Sequence, residues 1–303
     1  MNPSPEKYPI PARTNLVILF ICSAVYGILL WMGSRVNGWQ LFLTALFFAV
    51  NLIPIYSLIH EAEHGILLLD KKWNYAAGFF LSLLFLAPFS FIRKCHLNHH
   101  KHNRTDYEMW DLYYEHQRKW QRQGYLYVVM MGLEYAMLLL ATVLFCILPT
   151  LVFSKLFSWN REIRGMLVGA DQEKILVKVR IESYAVILFQ SLIFVLLDLH
   201  IYQYAVMFGV HAFVWSSQNY VNHAFSPRDI INGAHNHRSG LFSKYLYLNF
   251  NIHRVHHQKP NLPWIHLNRF VKEDEQRVSY WKTYLRLWKG PELTKEPSPA
   301  PVE

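Results

Sequence analysis

The sequence has little charge and little cysteine. Only 17% of its 303 residues are Asp, Glu, Lys or Arg, against roughly a quarter in an ordinary soluble domain. That excludes a uniformly solvated surface. Of three cysteines, Cys22 and Cys146 lie inside apolar runs and Cys95 directly precedes a histidine group. Their spacing suits neither a disulfide framework nor a thiolate metal site. No stripe of basic residues stands apart from the apolar segments, so the net charge of +9 is no sign of a nucleic-acid partner. The first 13 residues lack a cleavable signal pattern and read as a short Pro-containing cytoplasmic lead-in. No internal repeat of fixed period is present.

What is abundant is apolar sequence. Hydrophobic residues make up 52% of the chain and come in long blocks, the pattern of a membrane protein. Residues 14–33 and 39–59 predict a membrane hairpin; Lys7 and Arg13 put its start, and so its return, on the cytoplasmic side. Residues 75–92 are near the minimum spanning length and end at Arg93 and Lys94. Residues 107–124 predict a surface helix. The run 125–153 is apolar apart from Glu134, and 154–182 is a charged connector. Residues 183–197 and 202–220 are two further apolar stretches, with Asp198 and His200 at the tip between them. A mixed, mostly helical cap follows from His223, and 290–303 is a Pro-rich, polar stretch read as a disordered tail. The domain reading is a lead-in over 1–13, a membrane domain over 14–289 and a tail over 290–303.

Histidine is the second abundance. Eight of sixteen histidines fall into three groups: His60 and His64; His96, His99 and His100; His253, His256 and His257. On a helix, positions three and four apart share a face, so each group points its rings at one place. Imidazole is the commonest metal ligand and suits zinc, copper, iron and nickel. Eight rings are too many for one four-coordinate zinc and fit two metals with open positions. One shared site requires all three groups on one side of the membrane. Residues 75–92 must then be re-entrant or interfacial. Between the second and third groups the number of crossings must be even. The simplest solution bends 125–153 back and sends 183–220 out and back; the alternative is one long crossing at 125–153 and an incomplete one later.

His60-Glu61-Ala62-Glu63-His64 also matches the zinc-protease pattern H-E-x-x-H. That reading leaves the other six grouped histidines without a role. A metal transporter would place its ligands at mid-membrane, whereas these groups sit at the edges of apolar runs. Glu61, Glu63, Asn103, Asp106, Asp111 and Asn251 are close enough in sequence to accept ring N–H bonds, and His102 reads as an outer residue.

The three boxes, their order and their places beside apolar runs resemble the membrane-bound fatty acid desaturase and hydroxylase superfamily over roughly residues 15–270. The resemblance implies an all-α integral membrane protein with four or more transmembrane or re-entrant helices. It implies a cytoplasmic helical cap holding a histidine-rich di-metal site. It implies two irons per chain that activate O₂ against an unactivated C–H bond. It adds a ninth ligand, with an asparagine four residues before it, and Asn219-Tyr-Val-Asn-His223 has that arrangement. His223 is then a ligand and Asn219 a nearby second-layer or water-mediated partner; His235 competes for the ninth place. The implied substrate is a lipid or acyl chain, free or linked to CoA, a carrier protein or a lipid. No His-Pro-Gly-Gly motif of a fused haem domain occurs, so electrons would come from a separate ferredoxin or cytochrome b5. The expected enzyme is a fatty acyl desaturase. A hydroxylase or ketolase of an alkyl, acyl or carotenoid substrate is the alternative, because both reactions begin with the same hydrogen abstraction.

Overall fold

The structure, a computed structural model, describes residues 7–156, 160–238 and 240–300, without the side chains of 241–243. Residues 1–6 of the lead-in, 157–159 of the connector and 301–303 of the tail lie outside the described residues. The helices in chain order are α1 (Ala12–Gly33), α2 (Gly38–Glu63), α3 (Lys71–Leu84), α4 (Phe89–His102), α5 (Lys119–Val128), α6 (Glu134–Ile147) and α7 (Arg161–Leu167). After them come α8 (Glu173–Leu196), α9 (Ile201–Asn219), α10 (Leu241–Leu246), α11 (His253–Gln258) and α12 (Tyr280–Leu287).

α1 and α2 are each long and apolar enough to cross a membrane. The turn between them ends at Gly38, whose φ of 55° is left-handed and costs glycine little. Asn51 donates to the Cys22 carbonyl at 3.0 Å and Tyr26 packs on Phe48, so the two helices run antiparallel. α9 runs parallel to α2: Gln203 meets Asn37, Phe208 packs on Phe48, and Trp215 packs on Tyr56. α8 runs the opposite way. Gln190, in its last third, reaches Tyr26 and the Leu83 carbonyl, and its far end meets the first hairpin through Arg35 and the Leu197 carbonyl. Residues 34–37 and 197–200 therefore form one end of the bundle, and the histidine groups form the other.

α3 and α4 are bent by 100° about residues 85–88, where Pro88 cannot continue a helix and Leu86 takes a φ of 59°. The buried carboxylate of Glu182 on α8 accepts from the Tyr75 hydroxyl, near the start of α3, and from the Ser90 backbone N–H and hydroxyl, at the start of α4. Both limbs thus touch the same turn of α8, and the pair enters and leaves on the same side. This is the doubling back that a shared histidine site requires of residues 75–92.

Lys119–Ile147 is also long and apolar enough to span a membrane. Its contacts run along the bundle from the histidine-bearing end. Glu134 is bonded to Asn219 at the histidine-bearing end of α9. Twelve residues on, the Cys146 carbonyl accepts from Tyr184, within one turn of Glu182. A π-helical turn at Val129–Leu133, with Gly132 at φ 118°, kinks it. The following α7 returns to α4, where Asn98 donates to the Met166 and Val168 carbonyls. By length and composition the candidate spans are α1, α2, Lys119–Ile147 and α8; α9, with 19 residues, packs beside α2.

Two expectations from sequence are corrected. Residues 107–124 are not one surface helix: a 3-10 turn at Asp106–Glu108 and strand β1 (Leu112–Tyr113) precede α5. Asp106 and Asp111 are held by Arg228 and Arg104, which favours turn over helix. Residues 290–300 are not a free tail. Strand β2 (Glu292–Leu293) pairs in parallel with β1, and the Ser298 hydroxyl accepts from the Asp106 N–H. The cap beyond His223 is also less helical than its pattern suggested, being mostly turns around α10, α11 and α12.

In a background lacking the three native cysteines, Asp198→Cys in sealed vesicles should react with an impermeant maleimide from one side. Lys155→Cys and Lys272→Cys should react from the other. Labelling of Lys155→Cys together with Asp198→Cys would mean that Lys119–Ile147 crosses.

Candidate metal centre

Each box is delivered by a local device. His60 and His64 lie on the last turn of α2, which Gly65 ends at φ 75°. The Gly65 N–H bonds the Ala62 carbonyl and the Ile66 N–H bonds the Glu61 carbonyl, a Schellman closure. Asn74 fixes the loop beyond, donating to Ala62 and accepting from the Leu67 and Leu68 N–H groups. His96, His99 and His100 share a face of α4. His253, His256 and His257 lie on α11, whose first N–H groups are held by the His235 carbonyl and the Asn236 side chain. Trp264 then locks this segment to the bundle, its N–H on Glu61 and its indole on Asn15 of α1.

The nine expected histidines converge as two adjoining groups. His60, His64, His96, His100 and His256 bring one ring nitrogen each to within 4.8 Å of one another, and so do His99, His223, His253 and His257. Within the first group the Nε2 atoms of His64 and His96 are 2.7 Å apart, those of His96 and His100 3.1 Å, and those of His100 and His256 3.1 Å. In the second, the Nε2 atoms of His99 and His257 are 3.2 Å apart. Two nitrogens about 2.1 Å from a common centre and roughly at right angles stand about 3 Å apart, so these spacings fit corners around one ion. His60 Nε2 is buried with no hydrogen-bond partner, as an atom aimed at a metal would be. The groups adjoin where the His100 and His257 rings stack at 4.3 Å.

Proton positions follow from the partners. His99 Nδ1 lies 2.6 Å from Glu108, and His223 Nδ1 lies 2.9 Å from the Gly233 carbonyl. Those acceptors fix the proton on Nδ1 and leave Nε2 to a metal. Burial, and after it the neighbouring imidazoles, holds His223, His253, His256 and His257 well below the usual histidine range. They are neutral at pH 7, the form that ligates.

The outer residues sort differently from their sequence positions. His235 is in neither group: its ring reaches the Ala224 carbonyl and its own carbonyl holds the start of α11. His102 packs against Tyr107, outside both groups. Asn219 donates to Glu134 at 2.7 Å rather than to a ring. Glu63 stands 3.9 Å from His96. Asn103 acts at one remove, donating to the Gly233 carbonyl that orients His223. Asp111 pairs with Arg104, Asp106 with Arg228, and Asn251 donates to the His237 carbonyl. Glu108 is the partner that sequence missed. It is one of three acids in six residues, and the adjacent Asp106 and Asp111 were equally eligible.

An apolar cavity of about 220 Å³ abuts both groups. Phe85, Phe91, Met130, Met137 and Trp215 line it, with His96, His99, His223 and His253 on one wall. A family model for fatty acid desaturases matches residues 36–288. The chain belongs to the fatty acid desaturase family. Membership implies an oxidoreductase acting on lipid at a membrane, and the long apolar helices agree. No curated protein matches the chain. Within this family the two histidine groups read as a metal-binding site, and the greasy cavity beside them as space for a hydrocarbon.

Loss of the Glu108 carboxylate should free the His99 ring to rotate. Glu108→Ala is expected to weaken metal binding about 10–100-fold, the usual range for such orienting partners. Chelator competition on purified protein measures it; unchanged affinity would remove Glu108 from the site.

Proposed function

We propose that this desaturase-family protein is an O₂-dependent di-iron enzyme that introduces a double bond into a fatty acyl chain. The observation that carries the reading is the meeting of five and four imidazoles against an apolar cavity. The proposed ligands are His60, His64, His96, His100 and His256 for one iron and His99, His223, His253 and His257 for the other. An all-imidazole set without thiolates suits iron in such a site. Bound there, two irons would supply O₂ activation and the power to remove hydrogen from an unactivated methylene.

The chain's own residues do the rest. Glu108 and the Gly233 carbonyl hold two rings in the tautomer that presents Nε2. The apolar walls exclude water and hold methylenes beside the ligand cluster. Electrons come from a separate donor, such as a ferredoxin or cytochrome b5. Lys7, before α1, and Arg13, in its first turn, favour the cytoplasmic face for the histidine end. A single membrane domain over 14–289 carries the whole site.

A hydroxylase or ketolase with the same metals is the second reading, since the two chemistries diverge only after hydrogen removal. The protease reading is disfavoured by Glu61, which accepts from Trp264 and so is not free to serve as a general base.

Purified protein should contain about two irons per chain, and cells expressing it should gain new double bonds in their acyl lipids. His100→Ala and His256→Ala should each abolish this activity while leaving the protein in the membrane fraction. Oxygenated products without unsaturation would shift the assignment to hydroxylation; one zinc per chain would overturn it.

A further inference from the structure

A second cavity lies back to back with the first. It runs between α2 and α9 and is closed on one side by cap residues that include Arg238, Tyr247, Phe250, Tyr280 and Trp281. The two cavities share four wall residues: Tyr56, Trp215, Asn219 and Phe250. Phe250 is the thinnest part of that wall. Its ring lies 4.8 Å from His60 and 4.7 Å from His253, and Tyr56 packs on both Trp215 and Phe250. One aromatic layer therefore separates the second cavity from the histidines.

The second cavity is amphipathic along its length. At its bundle end it is lined by Ala49, Ile53 and Val214; at its cap end by Gln218, Tyr247, Tyr280 and Arg238. From His211 to Gln218 it follows α9 for about 10 Å. Two of its buried polar side chains carry atoms without a hydrogen-bond partner. Both ring nitrogens of His211 and the Asn222 Oδ1 are buried without a hydrogen bond, and such groups normally have one. Arg238 is exposed at the cap end; it donates to the Arg277 carbonyl and makes no ion pair among the described residues. Trp281 next to it is 60% exposed, the aromatic-plus-arginine pairing of a headgroup layer.

We propose that this cavity is the portal by which a bilayer lipid with an anionic headgroup presents its chain to the metal centre. The headgroup sits at Arg238 and the chain runs down the α2–α9 groove. Its entry to the reaction cavity is past the Tyr56–Trp215–Phe250 wall. The proposal rests on the histidine groups being the reaction centre, and it makes the substrate class an intact membrane lipid rather than a water-soluble thioester.

The test uses full-length protein in phosphatidylcholine nanodiscs doped with phosphatidylglycerol carrying a chain diazirine. Irradiation should label peptides containing Ile53, Val214 or Phe250. Val214→Trp, which fills this cavity and touches no proposed ligand, should cut that labelling at least fivefold with metal content unchanged. Arg238→Gln, a surface change, should cut it several-fold, and diazirine-bearing phosphatidylcholine should label as weakly as that variant. Equal labelling by both lipids, or labelling unmoved by Val214→Trp, would overturn the portal. Metal content and product analysis of the same protein report separately on the desaturase reading, so either can fail alone.

Discussion

Nine imidazole rings must meet in one water-poor place, and the rest of the fold answers to that requirement. The rings come from the ends of α2, α4 and α11 and from the turn after α9. Each is useful only if its segment finishes on the same side of the membrane. Hairpins satisfy this directly for α1–α2 and α8–α9. The two intervening apolar runs cannot cross singly without separating the groups. The 100° bend between α3 and α4 meets this requirement for the first of them. Glu182 shows how the bend is held: one carboxylate, buried in the bundle, binds both limbs at once. A charge-assisted tie of this kind is costly to break because the donors it satisfies would remain buried.

A second brace works within the cap. Arg104 is 1% exposed and directs one nitrogen to Asp111 and Tyr220, another to the Ser226 carbonyl. Burial alone would lower its pKa, but Asp111 and Tyr220 outweigh that and raise it, so the charge persists. The Tyr220 hydroxyl also reaches the Glu108 carbonyl. Arg104 thus ties the segment that carries Glu108 to the turn that carries His223. Both are needed by the four-histidine group, and they lie more than 110 residues apart. A hydrophobic replacement could fill the volume but could not fix two loops in register, which is the better-attested use of a buried ion pair.

The histidine constellation was legible because metal ligands need both residue type and spacing, and the one-sided arrangement followed from counting apolar runs. His223 was separable from His235 only by geometry: both stand near Asn residues, and only the fold shows that the His235 ring turns to the Ala224 carbonyl. Glu108 was not legible because helix spacing relates residues on one element, and Glu108 reaches His99 from a 3-10 turn beyond it. The strap at 290–300 was misread for a related reason. Its composition is that of a disordered segment, and its order comes from pairing with residues 112–113, which no local pattern encodes.

The metal centre and the stability of the cap are linked. His60 Nε2 is buried with no hydrogen-bond partner, and the Nε2 atoms of His64, His96, His100 and His256 face only one another. Each such group carries a desolvation penalty of about 1–3 kcal/mol when nothing replaces its water. An ion that accepted lone pairs from several rings would remove much of that penalty at once and would couple metal affinity to folding free energy. The scaffold must hold the rings together before that energy is available. Trp264, clasped between Glu61 and Asn15, and Asn74, clasping the loop after His64, make hydrogen bonds that do not depend on the metal. The division of labour follows: the bundle and its polar clasps preorganise the cluster, and ligation compensates for the cost of burying it.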